Sequence, residues 1–209
     1  MKRILTLLAA SLMALSAMAQ TPEEIFARVG EAMERGEKEG TVMTMTMKVP
    51  ILGSFPSKIY TLGDKSRTEV TAAGHTMTMW SDAGTVWAYD PDDNEIVINN
   101  VKGDDASDNG LEMMNDVTDG YDVTLEKETD KIWYFTCKKR KDNPDKDAPK
   151  KMTISVKKGS YILDRLQASM KGVTLTISNV SFGGFDDAFV TFRASDFPGA
   201  KITDKRDKE

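Results

Sequence analysis

The sequence has little of the residue types on which many enzymes and exported proteins depend. Among its 209 residues it contains one cysteine, Cys137, and one histidine, His75. A single cysteine excludes an intramolecular disulfide, so an exported chain of this size must be held together by its core. Nucleophilic catalysis usually needs a histidine or a comparable base, and the chain has no G-x-S-x-G, P-loop or H-E-x-x-H motif. We therefore expect no enzymatic activity, no catalytic residue and no cofactor.

A metal site is equally unsupported by the sequence. The run DPDDNE places Asp90, Asp92 and Asn94 at the spacing of the first ligands of a calcium loop. It lacks the glycine at the sixth position and the glutamate at the twelfth position that such a loop needs. A solvated hairpin turn explains the same residues, so we predict no metal.

Positive charge is also scarce. The chain carries 28 basic and 33 acidic residues, a net charge of −5. An acidic surface argues against nucleic acid as a partner. The same sign disfavours binding to anionic lipid by charge, so any contact with lipid should be apolar.

Only the N-terminus has a long apolar run. In MKRILTLLAASLMALSAMAQ, Lys2 and Arg3 precede an uncharged stretch and an A-x-A site that ends at Ala19. This pattern predicts a secretory signal peptide over 1–19, a mature chain from Gln20 and a soluble periplasmic protein. A membrane anchor is the alternative, but the run falls short of the ~20 residues of a spanning helix. Cleavage would leave 26 basic against 33 acidic residues, a net charge of −7.

The remaining residues, 20–209, read as a single mainly β domain with a helix at its start. Thr21, Pro22 and Glu24 are typical of a helix N-terminus, and the apolar residues that follow recur at helical spacing. Period-two runs then predict about a dozen strands in one curved sheet or barrel. The predicted strands lie near 41–49, 57–63, 66–72, 75–81, 84–90, 94–98, 121–128, 131–139, 150–157, 161–170, 173–182 and 189–193.

Methionine alternates with small or polar residues in two of these strands. The runs are TVMTMTMKV and HTMTMW, and the alternation puts the methionines of each strand on one face. The unbranched thioether side chain adapts to varied apolar shapes, whereas Val and Ile fix one packing. The face is therefore either an adaptable binding surface or an ordinary core. The five residues concerned are Met43, Met45, Met47, Met77 and Met79.

The stretch SDAGTVWAYDPDDNEIVI resembles the dG-x-x-x-W-x-Y-d-p hairpin of the periplasmic outer-membrane lipoprotein carriers, the LolA family. Trp87, Tyr89, Asp90 and Pro91 stand at the matching places, and Gly84 precedes the tryptophan by one residue fewer than in the motif. The order of elements over the mature chain is similar too, as is the ending with its F-x-F segment and Pro-Gly turn.

The resemblance implies an incomplete antiparallel β-barrel, a half-barrel of about 11 to 12 strands closed by helices. Its apolar side would shield the acyl chains of lipoproteins or other acyl lipids and deliver them to the outer membrane. The partners it implies are an inner-membrane release complex and an outer-membrane acceptor, and we expect a monomer. The lid residues we predict are Ile25, Phe26 and Met33 on the first helix, with Leu111 and Met114 in the insertion at 102–120.

Two features separate this chain from relatives of that family. The membrane-anchored receptor (LolB) has the same fold but begins with a lipidated cysteine, which Gln20 is not. The carriers have an R-P pair whose arginine latches the lid. The matching region here, LGDKSRTEV, has no R-P, and Arg67 aligns only with a later arginine. A sensor or binding module without transfer activity, and a structural β-protein, stay open as alternatives.

Overall fold

The computed structural model describes residues 20–72, 74–100 and 117–206. Within them the helices are α1 (Pro22–Glu39), α2 (Val117–Gly120) and α3 (Asp187–Val190), with a 3-10 turn at Ala194–Asp196. The strands are β1 (Thr41–Val49), β2 (Gly53–Leu62), β3 (Lys65–Ala72), β4 (His75–Asp82), β5 (Thr85–Asp90), β6 (Glu95–Asn100), β7 (Tyr121–Glu128), β8 (Ile132–Lys139), β9 (Lys151–Lys157), β10 (Leu163–Met170), β11 (Val173–Phe182) and β12 (Lys201–Asp204).

All of these strands belong to one sheet, in the order β12-β6-β5-β4-β3-β2-β1-β11-β10-β9-β8-β7. Neighbours pair antiparallel except for β12, which runs parallel to β6. In this order the strands at the two ends, β12 and β7, have no partner on their outer side among the described residues, so the sheet is open. The predicted fold class, a mainly β chain with an unclosed sheet of about a dozen strands and few helices, is confirmed.

One predicted strand is wrong. Residues 189–193 do not pair with the sheet, because the Asp186 carboxylate accepts a hydrogen bond from the Phe189 backbone N–H at 3.1 Å and starts α3 instead. The twelfth strand is Lys201–Asp204, which follows a Pro-Gly turn and was not predicted. The other strands lie within a few residues of their predicted limits.

The first helix begins as its sequence predicts. The Thr21 side chain accepts from the Glu24 backbone N–H, and the Glu24 carboxylate accepts from the Thr21 backbone N–H, which together make a capping box. Pro22 occupies the first turn, where no amide donor is needed. The apolar stripe of this helix therefore starts at a fixed position relative to the sheet.

The main core lies between α1 and one face of the sheet, which we call the inner face. The Phe26 ring meets the Phe135 ring of β8 edge to face, with centroids 5.0 Å apart. Cys137 is fully buried in the same core, as predicted, and burial raises the pKa of its thiol to about 12. The largest fully buried side chains here are Ile25, Val29, Met43, Val117, Phe135, Met152, Ile154, Val156, Leu163, Leu166 and Ile177.

A second apolar cluster lies on the opposite, outer face of the sheet. The C-terminal segment, residues 183–200, crosses this face and covers aromatic side chains of β2, β4 and β5. The Phe192 ring stacks on Trp87 at 5.2 Å, and the Phe197 ring lies 4.5 Å from that of Tyr89. The cluster comprises Tyr60, Trp80, Trp87, Tyr89, Phe185, Phe189, Phe192 and Phe197.

Candidate ligand-binding surface

The strand register brings all five alternating methionines to the inner face. Met45 of β1 pairs with Ser57, which pairs with Val70, which pairs with Met77 of β4. Cross-strand partners point to the same side of a sheet, so β1 and β4 present their methionines together. A parallel row joins Met43 through Ile59 and Thr68 to Met79. We call the inner face of β1 to β4 the methionine surface.

The methionine surface is only partly covered. Met43 is 0% exposed beneath α1, and Met45 lies half-buried against the main core. Met47 is 44% exposed and Met77 is 40% exposed. Cover is therefore lost along β1 toward its C-terminal end and across the sheet toward β4, while the apolar character of the face continues.

The inner face of β3 to β6 is less covered by the described residues than the main core is. None of its described side chains is buried, although most of them are apolar or small hydroxyl residues. A direct polar contact on this part of the face joins the Ser66 and Ser81 hydroxyl oxygens, 3.2 Å apart. The apolar and hydroxyl side chains that line it are Ser66, Thr68, Val70, Ala72, Met77, Met79, Ser81, Val86, Ala88 and Val97, and His75, Asp90, Glu95 and Asn99 lie on the same face at the ends of the strands.

The predicted lid residues fall into two groups. Ile25 and Phe26 are buried on α1, and Met33 is half-buried against the main core, so all three contact the inner face. Leu111 and Met114 lie outside the described residues. The role of either group in ligand binding stays a prediction.

Arg67 does not face α1. It lies on the outer face, where its guanidinium carbon sits 4.2 Å from the Phe189 ring centroid and 5.4 Å from that of Trp80. Its Nη2 donates to the Glu69 carboxylate at 2.8 Å. Because Arg67 holds the C-terminal segment rather than the first helix, it is not positioned to latch an α1 lid.

Two clefts open on the outer face beside the C-terminal segment. The larger measures about 830 Å³ and the smaller about 350 Å³. Both mix aromatic with charged side chains, unlike the methionine surface, so they suit hydrocarbon chains less well. The larger is lined by Val42, Lys58, Tyr60, Gly184, Phe185, Asp186 and Phe189. Sequence reasoning missed them because it assigned part of this segment to a strand.

An ion pair and a hydrogen bond also connect the C-terminal segment to β3 beside these clefts. Lys65 Nζ donates to the Asp187 carboxylate at 2.6 Å and to the Thr191 hydroxyl at 3.1 Å. The hydrogen bond with Asp187 raises the pKa of Lys65 and lowers the pKa of Asp187. The segment is thus anchored by charge as well as by aromatic packing.

Metal-binding side chains are not grouped in the part of the chain that the structure describes. The described residues hold no cluster of three or more histidine, cysteine or carboxylate side chains that could bind a metal ion. His75 pairs with Asp92 at the end of the methionine surface, and DPDDNE forms a hairpin turn as predicted. No helix in residues 20–72, 74–100 and 117–206 is long and apolar enough to cross a membrane.

Comparison with known proteins identifies the fold through structure alone, since no family model and no curated protein matches the sequence. An uncharacterized conserved protein from Thermus thermophilus superposes with a TM-score of 0.51 at 15% identity, over 89% of this chain and 100% of the other. The Mycobacterium tuberculosis lipoprotein LppX superposes with a TM-score of 0.50 at 10% identity, over 82% and 100%.

A LolA superfamily protein from Nitrosomonas europaea, NE2245, also matches, at 10% identity over 83% of this chain and 99% of the other, with a TM-score of only 0.35. Identities this low show the fold and nothing finer. The open, mainly antiparallel sheet with a long helix on its inner face is the architecture that the sequence resemblance implies. The chain therefore shares the fold of LppX and of the Thermus thermophilus protein, an open and mainly antiparallel sheet, which agrees with the LolA-like fold that the sequence resemblance implies.

Proposed function

We propose that this chain is a periplasmic carrier that shields the acyl chains of lipoproteins on the methionine surface and delivers them to the outer membrane. The observation that carries this proposal is the extension of the apolar inner face beyond α1, where Met47 and Met77 are 44% and 40% exposed. Soluble proteins rarely leave such a contiguous apolar face uncovered unless it binds something. Methionine suits several flexible acyl chains because its side chain changes shape at little cost.

The ligand should bind beside α1 rather than beneath it. Ile25, Phe26 and Val29 are almost completely buried in the main core. Burying each such side chain contributes roughly 1.5 to 3 kcal/mol, so lifting the helix would cost about 5 kcal/mol or more. The open inner face of β3 to β6 needs no such rearrangement. Met33, near the C-terminal end of α1, then forms the border between helix and ligand.

Partial cover also favours release. Each buried CH₂ contributes ~0.8 kcal/mol, so one fully enclosed acyl chain would contribute on the order of 10 kcal/mol. A carrier that enclosed its cargo completely would release it slowly. An open surface buries only one side of each chain, which lowers the affinity to a level compatible with transfer.

The test is binding of a fluorescent acyl probe by a Met47→Asp/Met77→Asp variant. Carboxylates at these positions would face hydrocarbon without a partner, so we expect the probe affinity to fall at least ~10-fold. Both side chains are exposed enough for the charges to remain hydrated, so the variant should fold. The conservative Met47→Leu/Met77→Leu variant should bind within about threefold of wild type, since it keeps the apolar surface.

Wild-type affinity in the Asp variant would remove the methionine surface from consideration. Ile202→Asp serves as the matched control, because Ile202 is an exposed apolar residue on β12 that projects from the outer face. Transfer is tested separately, by following loaded lipoprotein from the chain to outer-membrane vesicles. A chain that binds the probe but transfers nothing is a sensor or binding module rather than a carrier.

A further inference from the structure

We propose that the end of the sheet at which β1 turns into β2 docks on a phospholipid bilayer, with Ile51 and Leu52 inserted among the lipids. The inference rests on the proposed function, because the bilayer is the place where an acyl chain must enter or leave the methionine surface. It adds a second contact to that function, one made with the membrane itself rather than with cargo.

The tip of the β1–β2 hairpin is apolar and unprotected. Val49 pairs with Gly53, and the three residues between them are Pro50, Ile51 and Leu52. Ile51 is 105% exposed and Leu52 is 71% exposed, so neither side chain contributes to a core. A hairpin tip that served only to reverse the chain would gain solubility from polar residues at both positions.

The backbone conformation of the tip supports the same inference. Ile51 has a φ of 71°, in the left-handed region that β-branched residues tolerate poorly and that Gly, Asn or Asp would favour. Gly74 between β3 and β4 follows this preference, and although other turns place residues such as Ala83 and Lys171 at a positive φ, Ile51 is the one β-branched residue among the described residues that does so. Isoleucine at this position therefore weakens the turn, which favours a role for its side chain outside the fold.

The tip does not stand alone, because further exposed apolar side chains lie at the same end of the sheet. Met170 pairs with Val173 beside the β10–β11 turn. Met47 lies on the inner face of β1, two residues before Val49 at the base of the tip. Among the described residues eight large apolar side chains are exposed, and five of them lie at this end: Met47, Ile51, Leu52, Met77 and Met170. This apolar end is continuous with the open methionine surface, so an acyl chain could move from bilayer to surface without crossing water.

The net charge of the chain, rather than the charges next to the tip, favours a zwitterionic bilayer over an anionic one. Lys48 and Lys171 border it, and Lys171 is already paired with Asp147 at 2.8 Å. The chain as a whole is acidic, with a net charge of −5, so anionic lipid would repel most of its surface. Insertion of aliphatic side chains, which is independent of charge, accounts for the attraction.

The first experiment places a reporter at the tip. The Leu52→Trp variant should show a blue-shifted and brighter indole emission when phosphatidylcholine vesicles are added, because the indole leaves water. The matched Ile202→Trp variant, at an exposed site on β12, should show no shift. An unshifted Leu52→Trp spectrum at saturating lipid would overturn the proposal, as would binding that appears only when the vesicles contain anionic lipid.

The second experiment removes the apolar tip without harming the turn. The Ile51→Asn/Leu52→Ser variant should lose about tenfold or more in affinity for phosphatidylcholine vesicles, since each aliphatic side chain moved out of water is worth about a factor of ten. Its melting temperature should be unchanged or raised, because Asn suits the left-handed backbone. The affinity is measured by cosedimentation of the protein with the vesicles. Wild type and variant differ only at residues 51 and 52, so a difference in binding reports the tip alone.

The two proposals can fail separately. The tip variant should still bind the fluorescent acyl probe in the absence of vesicles, within about twofold of wild type, since Met47 and Met77 are untouched. Vesicle binding that persists in the tip variant contradicts the membrane inference but leaves the carrier proposal standing. Failure of wild type to bind the acyl probe contradicts the carrier proposal instead.

Discussion

The two halves of the sheet bury opposite faces. From β7 to β11 the inner face is covered by α1 and the outer face is wet, with Lys151 and Thr153 on β9 and Gln167 on β10. From β3 to β6 the outer face is covered by the C-terminal segment, and none of the described side chains on the inner face is buried. Each half thus leaves one face uncovered. The uncovered face of the first half is polar, as solvent requires, whereas that of the second half carries the methionine surface.

This difference is the strongest physical argument for a ligand. A chain that folded only to be stable would place polar residues on both uncovered faces. The inner face of β3 to β6 instead carries the exposed Met77 and, at partly exposed positions, Val70, Met79 and Val97. The predictions below test whether the two halves differ in this way, starting with the largest expected effect.

The same substitution should cost far more stability where α1 covers the inner face than where that face is exposed. Met43→Asp places a carboxylate where the native side chain is 0% exposed, and should destabilise the fold by roughly 3 to 5 kcal/mol because the charge has no partner. Met77→Asp should cost about 1 kcal/mol or less, because its carboxylate remains in water. Urea unfolding followed by circular dichroism measures both.

Equal losses in the two variants would mean that the inner face is closed over β4 and would break the comparison. Met45 is less informative than either, because it is half-buried against the main core and its substitution would mix lost packing with lost binding.

The rate of labelling by thiol reagents should also differ strongly between the two halves of the sheet. Native Cys137 is buried and its thiol has a pKa raised to about 12, so it should react only when the fold opens. A cysteine introduced by Met77→Cys should react within seconds to minutes, as an exposed thiol does. Mass spectrometry after timed labelling at mildly alkaline pH distinguishes the two sites, and fast labelling of Cys137 would show that the covered half opens readily.

The raised pKa of Cys137 also predicts a pH dependence. The folded state keeps the thiol protonated above its ordinary pKa of 9.0, whereas the unfolded chain can release the proton. Its contribution to stability is therefore complete below about pH 9 and falls between pH 9 and about 12, at up to ~1.4 kcal/mol per pH unit. A Cys137→Ala variant compared with wild type over this range isolates the effect of the thiol.

Sequence reasoning succeeded where the pattern is local. Alternation placed the methionines on one face, and the capping residues fixed the start of α1. It failed at residues 189–193, because the aromatic and β-branched residues of FVTFR suit a strand and equally suit a segment laid across a sheet. The exposure of Met47 and Met77 could not be predicted at all. Periodicity tells which face a side chain is on, but cover is set by the placement of α1, which depends on distant contacts such as that of Phe26 with Phe135.

Arg67→Ala should affect only the half that is covered on its outer face. The substitution removes the guanidinium from the rings of Phe189 and Trp80 and leaves Glu69 without its partner. We expect a loss of roughly 1 to 2 kcal/mol in stability, because both the cation–π contacts and the ion pair are partly buried. Acyl-probe affinity should stay within about twofold, since the methionine surface lies on the other face of the sheet. A loss of probe binding at unchanged stability would couple the two faces.

The smallest effect expected tests whether α1 moves at all. Thr21→Ala removes one half of the capping box with Glu24 and should lower stability by about 1 kcal/mol. If the ligand binds beside α1, weakening the first turn leaves the acyl-probe affinity unchanged, because Met33 at the border lies about three turns away. If the ligand must displace the helix instead, the destabilised helix competes less well for the inner face and the affinity rises up to about fivefold. Thermal unfolding and probe titration of this variant, measured together, therefore decide whether α1 stays in place or is displaced when the ligand binds.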